Sequence, residues 1–381
     1  MGLGFNLFAQ NPIEHVLAEV EKNNTTLSAY RNHIDAEKMG NHTGLLPQNP
    51  EIEYNYLWGN PTEMGNRTNL GIHQSFDFPT AYAYKSQIAK SKNEQAELEY
   101  QKQRKEIRYR THLVCIDLIY QNALYFEYSN RVAHAKQIAD AYKTKFDIGE
   151  TGILEFNKAQ MSFLNCSNDL EQIEIERNSL LAELTRLNGG TTIAFNESTF
   201  LPQPILPNFE LWYAQAEQNN TVLQWIKQEI VISEKQKQLA KAQSLPKFNA
   251  GYMSEKVVGQ QFQGISFGMS IPLWENKNTL KYAKARTIAI QNMEADTKLQ
   301  FYHEKKDLHA KVISLQKNVS DYRNSLNLFS NTELLQKALN KGEISLAAYF
   351  YERSLYYESF DKLLEMEQNL YKAIAELKKY L

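Results

Sequence analysis

Strict alternation of apolar and polar positions occurs in two places along this chain. Between Pro50 and Pro79, Ile52, Tyr54, Tyr56 and Trp58 fall on one side, with Glu51, Glu53 and Asn55 on the other. A turn rich in Gly, Asn and Pro spans Gly59 to Asn66. Alternation then resumes, with Leu70, Ile72, Phe76 and Phe78 opposite Asn69, Gly71, His73, Ser75 and Asp77. Two alternating runs about such a turn predict a β-hairpin over 50–79. A second hairpin is predicted over 246–272. There Phe248, Ala250 and Tyr252 alternate with Lys247, Asn249 and Gly251, and Ile265, Phe267, Met269 and Ile271 alternate with Ser266, Gly268 and Ser270.

Helical spacing fills most of the remainder. Ile13, Val16, Leu17, Val20, Leu27, Tyr30 and Ile34 predict a helix from about Pro12 to Met39, and a comparable helix is predicted over about 208–243. Each hairpin is followed by 69 residues without Gly or Pro, 80–148 and 273–341. Each stretch predicts one unbroken helix, which would span about 100 Å at about 1.5 Å per residue. The expected molecule is therefore elongated, with long helices burying their apolar stripes against one another. Both runs stop at a Gly-Glu pair, Gly149-Glu150 and Gly342-Glu343, and shorter helices are predicted at Ile153–Leu187 and Ile344–Leu381. In each half the two shorter helices together are about as long as the long one, so stacked end to end they would run beside it.

The two halves are thus copies. A spacing of 193 residues separates Pro79 from Pro272 and Gly149 from Gly342. Upstream, Asn23-Asn24-Thr25-Thr26-Leu27 answers Asn219-Asn220-Thr221-Val222-Leu223. The expected organisation is an N-terminal segment 1–10, a first repeat 11–190, a linker 191–206 and a second repeat 207–381. Segment 1–10 reads either as the tail of a secretory signal peptide, cleaved after Ala9, or as an apolar arm.

Four strands in two hairpins leave open sheet edges, which neither a soluble sheet nor a membrane tolerates readily. Strands of this length match the roughly 9–11 residues that cross a bilayer when tilted. Three chains would supply twelve strands and close a barrel, apolar and aromatic outside, small and polar inside. Tyr54, Tyr56, Phe76, Phe78, Tyr252, Phe267 and Ile271 are expected to face lipid, and Asn55, His73, Ser75, Asn249 and Ser266 to face water. The competing reading is a soluble coiled-coil scaffold or interaction protein whose hairpins form a small sheet.

Composition narrows the chemistry. A net charge of −2, from 42 basic and 44 acidic residues, leaves no basic footprint for nucleic acid. No run of apolar residues is long enough for a transmembrane helix. The eight histidines are scattered, and no CxxC, phosphate loop, nucleophile motif or carboxylate pair is present. The expectation is no enzyme, no cofactor and no metal site, with Cys115 and Cys166 as buried small hydrophobes.

With hairpins, long helices and paired glycines in place, the chain resembles the TolC-like outer-membrane efflux factors from Asn11 to Leu381. The resemblance is carried by the duplication, by Phe267-Gly-Met-Ser-Ile-Pro-Leu-Trp274, by Asn278-Thr-Leu-Lys-Tyr-Ala-Lys-Ala285 and by Lys341-Gly-Glu-Ile-Ser345. The short length and compact hairpins look most like the heavy-metal-associated, CusC/CzcC-like branch. The resemblance implies a mainly α fold with a membrane β-barrel: a homotrimer with a twelve-stranded barrel in the outer membrane of a Gram-negative bacterium, continued by an α-helical periplasmic tunnel. It implies a passive export duct in a tripartite system, partnered by a periplasmic adaptor and an inner-membrane pump, expected to be of the RND type.

The same resemblance places adaptor docking at the helix reversals, here Phe146, Ile148, Gly149, Glu150, Ile153, Leu339, Gly342, Glu343, Ile344 and Leu346. It also makes Glu155, six residues after the first glycine, the counterpart of an acidic aperture residue. The partners of that residue do not carry over. Leu339 stands where an aromatic residue is expected, Ile344 where a basic one is expected, and Ala348 and Tyr351 at the remaining acidic positions.

Overall fold

The computed structural model describes residues 12–202, 208–329 and 331–381; segments 1–10 and 203–206, for which a leader and part of a linker were expected, lie outside them. Each strongly alternating run became a strand: β1 (Glu51–Leu57), β2 (Arg67–Phe76), β3 (Lys247–Val257) and β4 (Gln260–Ser270). They form one antiparallel sheet in the order β1-β2-β3-β4, so the two hairpins pair through β2 and β3. β1 and β4 are its edges.

The first long run is a single helix, α3 (Pro79–Asp147), and α4 (Ile153–Leu187) follows the glycine turn over the expected residues. The other helices depart from expectation in an informative way. The leading helix of each repeat is broken into α1 (Pro12–Asn23) and α2 (Thr25–Asn41), and into α5 (Phe209–Asn219) and α6 (Thr221–Gln243). The break falls at the Asn-Asn-Thr repeat marker itself. Asn24 Oδ1 accepts from the Leu27 N–H (2.9 Å). Asn220 Oδ1 accepts from the N–H groups of Val222 (2.9 Å) and Leu223 (3.3 Å). An asparagine capping a new helix start ends the old one.

The second long run is also not one helix. It begins at Thr279 rather than 273, because Asn278 takes a left-handed conformation (φ 68) that interrupts a right-handed helix. It stops as α7 at Leu328, and a separate short helix α8 (Thr332–Asn340) leads to the glycine turn and α9 (Leu346–Lys378). Residues 327–332 read Asn-Leu-Phe-Ser-Asn-Thr, four of them polar side chains that compete with helix hydrogen bonds. Freedom from Gly and Pro permits a long helix; it does not enforce one.

Two compact units result, each drawing on both repeats. One holds 29–102 and 220–300, and the other holds the described residues up to 28 with 103–219 and 301–381. In the first unit the sheet is joined by α2 and α6, which flank the start of α3. Arg31 and Lys38 both donate to Glu97, and Trp225 Nε1 donates to Glu99. In the second unit Val16, Val20 and Leu27 pack on Ile107 and on Val114 to Ile119 of α3, closed by Leu184, Leu187 and Phe195. Here α4 ends in a third glycine turn. Asn188 is fully buried, accepts from Asn23 Nδ2 (3.0 Å) and donates to the Thr191 carbonyl (2.9 Å). Gly189 (φ 66) passes so close that an added Cβ would lie 2.3 Å from the Asn23 carbonyl oxygen. Cys115 is buried and its thiol is pushed up to about 12 by burial, whereas Cys166 is only half-buried, a correction to the expectation for it.

Candidate functional site

Two regions carry the residues singled out by the sequence: the paired helix reversals and one face of the sheet. Both reversals use the same backbone device. At the first, the Glu150 N–H donates to the Lys145 carbonyl (2.8 Å) and the Gly149 N–H to that of Phe146 (3.0 Å), with Gly149 at φ 80. At the second, the Glu343 N–H donates to Ala338 (2.9 Å) and the Gly342 N–H to Leu339 (3.0 Å), with Gly342 at φ 73. This six-to-one and five-to-two pairing requires a residue in the left-handed region, which glycine enters without penalty.

Their surroundings differ. Around Gly149, Ile148 is 63% exposed, Ile153 and Leu154 are exposed, and Phe146 stacks on Phe156 with centroids 5.1 Å apart. Glu150 and Glu343 point into solvent. Around Gly342 the apolar neighbours turn inward. Leu346, expected among the exposed docking residues, is only 3% exposed; it packs with Ile138, Ala139, Ala159 and Tyr349, with Leu339 and Ile344 half-buried against that cluster. The correction has a simple cause: Leu346 opens α9 on its inward face, just after the Ser345 hydroxyl accepts from the Ala348 N–H (3.1 Å). Glu155 is half-buried in the first turn of α4, 3.9 Å from Lys158.

Sequence reasoning missed the polar network that ties the two reversals together. Arg131 of α3, 4% exposed, donates to both oxygens of Asp361 on α9 (2.6 and 2.9 Å) and to Glu127 (3.0 Å). Burial opposes the Arg131 charge, but these carboxylates outweigh it and hold the guanidinium pKa above its ordinary value. Tyr128 donates to the same Asp361 (3.0 Å). Nearby, His134 Nε2 lies 2.6 Å from Gln336 Oε1, which also accepts from the Tyr349 hydroxyl (2.9 Å). Burial lowers the His134 pKa and pushes Tyr349 up to about 12. A buried arginine so far from its carboxylate in sequence leaves no periodic signal.

On the sheet, cross-strand register decides which residues share a face. Ile52, Ile72, Tyr252 and Ile265 form one rung, Gln74, Ala250 and Phe267 a second, and Phe76, Phe248 and Met269 a third. Tyr54 and Tyr56 lie on that same face, and Phe78, just past β2, packs its ring 6.3 Å from that of Phe248. Ile271 falls one residue beyond β4 and is exposed. Asn55, His73, Ser75, Asn249 and Ser266 all fall on the opposite face, with Gly71, Gly251, Gly264 and Gly268. The His73 ring lies against Gly71 and Gly251, so a Cβ at either would fall within 3 Å of it. The apolar face is open, Ile265 reaching 93% exposure. Four apolar residues near the turns, Leu57, Met253, Val257 and Phe262, stand on the polar face.

No helix among the described residues is long and apolar enough to cross a membrane, and no cluster of three or more His, Cys, Asp or Glu side chains there could hold a metal ion.

This arrangement of two hairpins in one sheet with paired long-helix reversals is shared with several solved outer-membrane channels. The CmeC outer membrane channel of Campylobacter jejuni superposes with a TM-score of 0.77 at 14% identity, over 97% of this chain and 85% of that one. CusC, described for its transmembrane channel formation, gives a TM-score of 0.77 at 14% identity over 100% of this chain and 94% of its own. The open state of the Neisseria gonorrhoeae MtrE outer membrane channel gives 0.68 at 14% identity, over 97% and 88%. At such identity the likeness is one of fold. Searches against protein-family models and curated proteins find no match.

Proposed function

We propose that the chain is the outer-membrane channel of a tripartite efflux system: a passive duct carrying small molecules or metal ions across the periplasm and outer membrane of a Gram-negative bacterium. Three copies close the barrel, β4 of one pairing with β1 of the next. The duct performs no chemistry of its own. It works with a periplasmic adaptor and an inner-membrane pump of the RND type. The observation that carries this reading is the sheet: an open apolar face, an opposite face of small and polar residues, and two unpaired edges, within a fold shared with outer-membrane channels. Water penalises such a face and such edges, whereas lipid and neighbouring strands satisfy both.

On this reading Tyr54, Tyr56, Phe76, Phe78, Tyr252, Phe267 and Ile271 face lipid. Glu155 contributes to the aperture. The adaptor docks at the reversals around Gly149 and Gly342 and along the exposed residues Leu154, Leu164 and Ile175 of α4. A bulky residue at Gly342 weakens docking and export while leaving trimers intact.

Mass measurement in detergent should give three chains. Tyr252→Arg should destabilise the bilayer-inserted protein by about 2–4 kcal/mol, and Ser266→Arg on the opposite face by much less. A monomer that stays soluble without detergent, or equal tolerance at both positions, would make the chain a coiled-coil scaffold instead.

A further inference from the structure

Beside the Arg131 network, α3, α4 and α9 line a half-open cavity of about 500 Å³, within the range of small-molecule sites. Its body is apolar and aromatic, formed by Ala135, Met161, Cys166, Tyr349 and Phe350. The charged side chains lining it are all basic, Arg131, Lys158 and Arg353, and no carboxylate lines it.

The three cations are not equivalent. Arg131 is saturated by Asp361 and Glu127. Lys158 reaches Glu155 at 3.9 Å. Arg353 has no carboxylate partner among the described residues: it donates to the Tyr357 hydroxyl, and its Nε is buried with no hydrogen-bond partner. Its guanidinium is flanked by the rings of Tyr357 and Tyr349, at 4.7 and 6.0 Å from their centroids. Aromatic faces offset part of a cation's lost hydration, but they do not take the directed hydrogen bonds that guanidinium presents.

We propose that this cavity binds an amphiphilic organic anion, a carboxylate or sulfonate on an aromatic or aliphatic body, with Arg353 as its charge partner. The anionic group pairs with the Arg353 guanidinium where it lines the cavity, and the apolar body lies against Met161, Tyr349 and Phe350. Neutral ligands of the same shape lose the charge-assisted bonds, and cationic ones meet the uncompensated charge of Arg353. The site stands on α3, α4 and α9 alone, so it is independent of the barrel reading.

The test is calorimetric titration of the detergent-purified, assembled protein with 1-naphthoate, 1-naphthamide and 1-naphthylmethylammonium, with detergent alone as blank. Naphthoate should bind saturably, one per chain, at least about tenfold more tightly than naphthamide, with no binding of the ammonium compound. Arg353→Met should weaken naphthoate about tenfold or more and leave naphthamide unchanged, with assembly checked by elution volume. Ala347→Trp, at an exposed position on the cavity rim, should block both and serves if the arginine variant fails to assemble. Equal binding of naphthoate and naphthamide, full affinity in Arg353→Met, unaltered binding in Ala347→Trp, or no saturable binding by the assembled protein would overturn the proposal.

Discussion

The reversals at Gly149 and Gly342 share a backbone and differ in almost everything around it. Both close with the same pair of hydrogen bonds about a left-handed glycine, with open space where a Cβ would stand. Yet the first lifts Ile148, Ile153 and Leu154 into solvent, while the second draws Leu346 into a core. The helices feeding them differ too, α3 unbroken and α7 interrupted before α8. A second contrast sits higher on the same helices. His112 and Lys305 stand at the same spacing from Pro79 and Pro272. Burial, with Lys378 and Arg108 nearby, lowers His112 to about 4, whereas Lys305 is buried but stays charged through Glu304 and Glu376. Duplication preserved the turns; helix continuity and environment were free to diverge once the two copies packed against each other.

The comparison breaks most sharply at the bond between the copies. Asp361→Asn leaves the buried Arg131 with Glu127 as its remaining carboxylate, which should cost about 3 kcal/mol in denaturant unfolding. A loss below about 1 kcal/mol would mean that the two reversals do not depend on that pair. Next in size is the contrast of buried with exposed: Leu346→Ala should cost about 2–4 kcal/mol, while Ile148→Ala changes stability by no more than about 0.5 and shows its effect in partner docking. Equal losses would erase the distinction drawn here. Gly149→Ala and Gly342→Ala should each cost about 1 kcal/mol and agree with one another, since each meets backbone strain and no neighbour. Gly189→Ala, which drives a Cβ into the Asn23 carbonyl, should cost clearly more.

The smallest effect is one of pH. The folded pKa of His112 is depressed, so the neutral form is favoured by folding. Its contribution is complete above its ordinary value near 6.5 and is lost as pH falls toward about 4. His112→Gln should flatten the unfolding curve across that window. Lys305, whose pKa is raised, should leave the window untouched.

Much of this was readable in the sequence because it is periodic or punctuated. Period-two alternation located four strands, and the proline and Gly-Glu landmarks located both ends of α3 and the start of α4. The breaks at Asn24 and Asn220 were written in the chain as well, as asparagine caps, but read there as repeat markers. The early start and late break expected of α7 failed for a different reason, since weak helix formers at 327–332 and the left-handed Asn278 act through local competition that a Gly/Pro count ignores. The Arg131–Asp361 and His134–Gln336–Tyr349 links join residues far apart in the chain and follow from packing alone.

The pairing of β2 with β3 has a further consequence, for the order in which the chain acquires its structure. Each hairpin closes a short loop and can form within microseconds, but the ladder between them waits for α3, α4, α5 and α6 to bring distant segments together. Closing so long a loop costs conformational entropy before any hydrogen bond returns it. A newly made chain therefore passes through an interval with two separate hairpins, twice as many open edges as the finished sheet, and an apolar face on each. During that interval other chains compete for the edges, so the yield of folded protein should fall as its concentration rises.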